Sequence, residues 1–250
     1  MNSMIEVRQL SKSFRKWKTR NGDPAIKQGL WQSIQSNFFQ QPSFFALNNI
    51  NFSILPGTTL GIIGKNGAGK STLIKIISKI IPPTKGRIIL RGSVSSLVEI
   101  GTGFHPDLTG EENIYLNGAF LGVKKQAIKE KFSQIVAFAE VQSFLSTPLK
   151  KFSTGMQLRL AFSIAVYLNA DILILDEILA VGDAAFQKKC LEKINHMTKI
   201  QGKTVLLVSH DSTVIERTCD QCLWLENGRQ MAFGKTSNII GAYHQHSNNF

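Results

Sequence analysis

Apolar positions along this chain follow two rhythms. Short continuous or alternating runs mark strands: MIEVRQL (4–10), FALNNINFSIL (45–55), TTLGIIG (58–64), GRIILRG (86–92), SVSSLVEI (93–100), ADILILDE (170–177), KTVLLVSHD (203–211) and CLWLENG (222–228). Helical spacing covers 70–81, 109–145, 153–168 and 183–200, and a short helix follows 211. Pro82-Pro83 stops the first helix. Thr109 with Glu112 reads as a capping box, the hydroxyl serving the N–H three residues on while the carboxylate reaches back. Apolar strands alternating with helices imply a parallel sheet covered on both faces.

One stretch breaks the rhythm. Residues 15–45 form a basic and helical insert: five basic residues and one acid from Arg15 to Lys27, then no charge over 28–45. Ile26, Leu30, Ile34 and Phe38 recur every four residues there, on one helical face, until Pro42. The whole chain has 250 residues, room for a real core. Its 29 Lys+Arg against 17 Asp+Glu give +12, which favours an anionic partner. No run reaches the ~18 apolar residues that span a membrane. The start, MNSMIEVRQL, lacks a signal-peptide core, so the expectation is a cytoplasmic protein. Cys190, Cys219 and Cys222 suggest no disulfide framework. Cys219 and Cys222 have CxxC spacing, but no second pair completes a zinc site. His244 and His246 are too few for another.

Gly64-Lys-Asn66-Gly67-Ala68-Gly69-Lys70-Ser71 fits GxxxxGK[ST], entered from a strand and left by a helix. Glycines let N–H groups curl around phosphates, and the helix start adds partial positive charge. Lys70 would reach the β- and γ-phosphates of ATP, Ser71 would ligate Mg²⁺, and Thr72 completes the ATP-binding run. At the end of ILIL, Asp176 would hold Mg²⁺ and Glu177 would act as general base on water.

The segment Phe152-Ser153-Thr154-Gly155-Met156-Gln157 resembles the signature sequence of ABC ATPases, usually Leu-Ser-Gly-Gly-Gln. Thr154 and Met156 depart from it. The resemblance covers nearly the whole chain and implies an α/β P-loop NTPase of ABC type, with a mainly parallel sheet core, an antiparallel β part and a helical subdomain (109–168). One such domain would fill 1–250, with 235–250 a short tail. By the same resemblance Ser153, Gly155 and Met156, with the D-loop residue Asp183, would serve ATP bound to a second copy in a head-to-tail homodimer. His210 would contact the γ-phosphate, and Phe14 would stack on adenine, with Trp17 a rival.

Gly101-Thr-Gly-Phe-His-Pro-Asp-Leu-Thr-Gly-Glu-Glu-Asn and Ile178-Leu-Ala-Val-Gly-Asp183-Ala-Ala-Phe186 resemble the ATPases of O-antigen and teichoic-acid exporters. That subgroup implies a transmembrane permease dimer as partner, lipid-linked polysaccharide as its cargo, and a place on the cytoplasmic face of the membrane. No nucleic acid is expected. The 16 residues after Gly234 cannot hold a carbohydrate-binding sandwich, which needs about 100. The insert would meet lipid headgroups, substrate or permease. Residues 97–113 would hinge the helical subdomain. They contain no glutamine where the family has one for Mg²⁺, and Glu99 is the candidate substitute, ahead of His105. Two other classes compete: a soluble ABC ATPase acting on ribosomes or nucleic acid, and a small-molecule kinase. The first usually needs two ATPase domains or a coiled-coil insert, and the second leaves the signature unexplained.

Overall fold

A computed structural model describes residues 2–15, 43–96, 103–168, 170–176, 183–209 and 211–248. Nine strands occur among them: β1 (Ile5–Arg15), β2 (Ser43–Ile54), β3 (Thr59–Ile63), β4 (Lys85–Leu90), β5 (Val94–Ser96), β6 (Ile172–Asp176), β7 (Thr204–Val208), β8 (Gln221–Glu226) and β9 (Arg229–Lys235). They join in the order β4-β1-β2-β9-β8-β3-β7-β6-β5. The run β8-β3-β7-β6-β5 is parallel, while β1 pairs antiparallel with β2 and β4, and β9 with β8. TLGII and TVLLV are buried at every position, as strands covered on both faces must be.

Register sorts the side chains into two cores. Leu60, Leu206 and Ile174 lie level across β3, β7 and β6 and face a core shared with Ile5, Val7, Leu47 and helix α1 (Lys70–Ile77). Their neighbours Leu207 and Leu175 face the opposite core. That core is closed by α5 (Ala184–Lys199), by Ile215 of α6 (Ser212–Thr218) and by Ile239 and Ile240 of α7 (Thr236–Asn248).

A third core belongs to the helical unit: α2 (Gly110–Phe120), α3 (Lys125–Ala139) and α4 (Thr154–Tyr167), packed through Ile114, Ile128, Ile135 and Leu160. Helix α4 serves two cores. Leu160, Ile164 and Leu168, one turn apart, face the helical unit, while Phe162, Ala165 and Val166 face the sheet.

Several expected boundaries move. The helix expected over 70–81 stops at Ile77. Lys79 turns left-handed (φ 60) and Ile80 N–H bonds Lys75 O at 2.9 Å, a Schellman end that precedes the prolines. The pattern over 109–145 is two helices, because Gly122 (φ 72) closes α2 the same way, with Val123 N–H on Gly118 O at 2.9 Å. The capping box is present: Glu112 N–H donates to Thr109 Oγ1 (3.2 Å), and Thr109 N–H to Glu112 Oε2 (2.8 Å).

Of the expected tail, 235–250, the described residues 235–248 are integral structure. Thr236 Oγ1 donates to Cys219 O at 2.8 Å, Tyr243 packs edge-on against Trp224 at 5.5 Å, and His246 pairs with Glu226 at 3.1 Å. Apolar Ile239, Ile240 and Tyr243 recur at helical spacing there, which the sequence reading passed over. The two ends of the 15–45 insert are strand: Phe14 opposes Phe44 and Arg15 opposes Ser43. The helix expected within the insert lies outside the described residues.

Two stability predictions follow from this packing. Ile240→Ala should destabilise the protein by about 2–3 kcal/mol, whereas Ile200→Ala, 74% exposed, should stay within about 0.5 kcal/mol; urea melts of both variants check the contrast. At the head of β6, Ser93 donates its N–H (2.9 Å) and hydroxyl (2.9 Å) to Asp171, and Lys203 adds a contact at 3.1 Å. These hold the Asp171 carboxyl below its ordinary value of 3.8, the Ser93 N–H bond contributing most. A depressed carboxylate contributes stability above its unfolded value and loses it as pH falls through the folded one. Asp171→Asn should therefore cost about 1 kcal/mol at pH 7, after screening of this partly exposed group. In thermal melts the gap from wild type should close below pH 3.8.

Candidate functional site

The phosphate loop runs from the end of β3 to the start of α1. Gly64 (φ 149) passes so close to β8 that a Cβ there would lie 2.2 Å from Leu225 O. Gly69 (φ 106) caps α1 under β2, where a Cβ would lie 2.6 Å from Ala46 O. Lys70 is 7% exposed, and its Nζ donates to Gly64 O (2.7 Å) and Lys65 O (3.2 Å). The loop is thus folded around its own ammonium. The β8–β9 turn backs it, with Gly228 N–H on Ala68 O at 3.0 Å.

This loop forms one wall of a cavity of about 610 Å³. Asn66, Gly67, Ala68, Gly69, Lys70, Ser71 and Thr72 line it, as expected, and Asp176 stands on the same cavity. Asp176 reaches that level because β6 runs in register with β7, Asp176 beside Val208, and Val208 beside Ile62 of β3. A serine hydroxyl and a carboxylate on one cavity form a hard-oxygen set, suited to Mg²⁺ beside a polyphosphate. The far wall is aromatic. Phe14 and Phe44, opposite each other on β1 and β2, have ring centres 5.9 Å apart and a tilt of 32°. They are 38% and 46% exposed, and Phe45 adds a third face at 47%. The residues present therefore fit a nucleotide with its divalent cation: exposed aromatic faces for a base, and the phosphate loop with Ser71 and Asp176 for the polyphosphate and its metal.

Phe44, Phe45, Asn227 and Gly228 were not anticipated. For the last two the signal was the Glu-Asn-Gly turn; for Phe44 and Phe45 it appears only when strand register sets them beside Phe14.

Ser153, Gly155 and Met156 lie elsewhere, on the helical unit. Ser153 caps α4, accepting Met156 N–H at 3.2 Å, and a Cβ on Gly155 would meet only Ser153 Oγ within 4 Å. Asp183 caps α5, accepting Phe186 N–H at 2.8 Å, and pairs with Arg159 at 2.7 Å. The Phe186 N–H bond leads the interactions that hold its carboxyl below the ordinary value, and Arg159 adds to it. Glu177, His210, Glu99 and Trp17 lie outside the described residues.

Of the segment expected to act as a hinge, 97–113, residues 97–102 lie outside the described residues. Asn113, fully buried, donates from Nδ2 to His105 O, Leu108 O and Thr109 O and accepts His105 N–H at 2.7 Å. One turn on, Asn117 donates to Gly103 O at 3.1 Å. Residues 103–109 are thereby stapled to α2. The sequence reading missed this pair, although Asn-x-x-x-Asn puts both amides on one helical face.

Cys219 and Cys222 are buried and free. Burial pushes the Cys222 thiol up to about 12 and Cys219 well above the ordinary range, the opposite of what thiolate ligation needs. Among the described residues no cluster of His, Cys, Asp or Glu could hold a metal by itself. His244 bonds Ser212 at 2.9 Å and, like His246, anchors α7.

A family model for ABC transporters matches residues 47–180. The O-antigen export system ATP-binding protein of Myxococcus xanthus is 41% identical over 96% of this chain, which spans 55% of that protein's length. Its counterpart in Klebsiella pneumoniae is 42% identical over 81% of this chain and 82% of its own. The teichoic acids export ATP-binding protein of Lactiplantibacillus plantarum is 43% identical over 84% of this chain and 57% of its own. A solved ATP-binding subunit of an ABC transporter, 25% identical, superposes with a TM-score of 0.75 over 97% of this chain and 94% of its own. The cavity, the fold and these similarities converge: the chain belongs to the ABC transporter family.

Proposed function

We propose that this chain binds and hydrolyses ATP with Mg²⁺ to power export of a lipid-linked cell-surface polysaccharide through a membrane permease. One observation carries the ATPase part: Lys70, Ser71 and Asp176 share a cavity with an aromatic wall, while the signature serine, Ser153, lies outside it. Such a site is completed by a second copy offering its own Ser153, hence a head-to-tail homodimer with two nucleotides. Lys70 and the loop N–H groups would grip the β- and γ-phosphates. Ser71 and Asp176 would hold Mg²⁺, which when bound neutralises phosphate charge. Phe14 and Phe44 would stack on the base. Glu177 would take the proton from the attacking water, His210 would meet the γ-phosphate, and Glu99 would stand in for the family's glutamine.

The names of the relatives, O-antigen and teichoic-acid exporters, support polysaccharide as cargo. Among the described residues no helix is long and apolar enough to cross a membrane, which suits a subunit docked on the permease at the cytoplasmic face. The reading as a ribosome- or nucleic-acid-bound ATPase has no relative among these to support it.

Two measurements test the reading. Lys70→Ala should weaken ATP binding at least about tenfold, seen by fluorescent-nucleotide titration. Glu177→Gln should cut phosphate release about 100-fold or more while ATP still drives dimerisation on a sizing column. Wild-type turnover in Glu177→Gln would remove Glu177 from the role of base. Co-purification with RNA instead of a membrane permease would overturn the export reading.

A further inference from the structure

The joint between the helical unit and the sheet core has an apolar centre and a charged rim. At the centre, Phe138 of α3 and Phe162 of α4 meet Phe186 of α5, with ring centres 5.7 and 6.3 Å away. Both contacts are edge-on, with ring planes 70° and 75° apart. The rim is directional. Glu140 accepts Lys189 Nζ at 2.9 Å and Arg159 Nη1 at 2.7 Å. Lys189 also donates to Phe138 O at 3.0 Å. The other arm of Arg159 reaches Asp183 at 2.7 Å, and its guanidinium lies 4.8 Å from the Phe186 ring centre.

All of these contacts except Glu140–Arg159 run between the two parts. Glu140, Arg159 and Phe138 belong to the helical unit; Lys189, Asp183 and Phe186 belong to α5 and its cap. Glu140 caps α3 with a left-handed backbone (φ 59), a rare state for a residue with a side chain. The side chains of Glu140 and Asp183 are 51% and 63% exposed, so each pair alone is weak and sensitive to salt. Shared partners make the set cooperative without making it permanent. That suits a joint that opens and recloses. Helix α4, which carries Arg159, is capped by Ser153, under two turns away.

We propose that Glu140 is a positioning residue: with Lys189 and Arg159 it latches the angle at which the helical unit presents Ser153 to Met156 relative to the sheet core. This rests on the reading that those residues serve the nucleotide of a second copy. A purely structural role would move the melting temperature. A latch on presentation moves turnover at saturating ATP and leaves nucleotide affinity alone, because the phosphate loop is untouched.

The test uses the full chain with Glu140→Gln, Lys189→Gln, the double variant, and Lys189→Arg as the conservative control. Expected are a kcat lowered about three- to tenfold in each Gln variant and a KM for ATP within about twofold. The double variant should be no worse than the poorer single, Lys189→Arg close to wild type, and melting temperatures within about 2 °C. Unchanged kcat, a parallel rise in KM, or additive losses would each overturn the latch. Amide hydrogen exchange without nucleotide gives a second arm. Exchange at 153–157 should quicken in Glu140→Gln while 64–72 stays as in wild type, and unchanged exchange at 153–157 would also overturn it. That arm needs no hydrolysis, so a wild-type chain inactive on ATP would sink the proposed function while the latch is still decided.

Discussion

A buried ammonium organises the ATP-binding half of this molecule. Taking the charge of Lys70 out of water costs several kcal/mol unless polar groups surround it. Here the carbonyls of Gly64 and Lys65 do so, which requires the loop to bend back over the first turn of α1. The bend in turn demands near contact of backbone with backbone: Gly64 on Leu225 O and Gly69 under Ala46 O. One loop therefore sets the mutual positions of β2, β3 and the β8–β9 turn. The aromatic wall follows, since Phe44 and Phe45 precede Ala46 on β2.

The helical unit is held by different physics. Its own core makes it a body of its own, and α4 is buried on both sides because it belongs to two cores at once. Loop 103–109 is fastened to α2 by two asparagine amides and so is part of that unit. The two halves then meet through edge-on aromatic rings and exposed ion pairs, which favour one angle between them. Stiff parts joined by a soft, directional seam are what a machine driven by nucleotide binding needs.

Much of this was legible in the residues. The continuous apolar runs of β3, β6 and β7 announced a doubly covered parallel sheet, and the phosphate loop announced itself by spacing and context. Thr109 and Glu112 gave a helix start to the residue. Ends of helices were harder. Lys79 and Leu121 leave their helices through left-handed caps on the following or same residue, set by backbone hydrogen bonds that periodicity does not encode. The seat of α7 was missed because its apolar triplet sits among His, Gln, Ser and Asn. The aromatic wall was half seen: the family resemblance pointed to Phe14, but its partner Phe44 became visible only through cross-strand pairing. Likewise the amide staple depends on where a loop folds back onto its helix, a tertiary event.

Arg15 and Ser43 are paired neighbours on adjacent strands, and the 27 residues between them leave and return at one point. Closing such an excursion costs only about 0.6 kcal/mol for each doubling of its length. The hairpin is therefore a socket. Segments of very different size and charge could be exchanged there with little change to the sheet, while Phe14 and Phe44 at its mouth stay in register. A segment there can change while the Phe14–Phe44 wall of the cavity and the strands that carry it stay as they are.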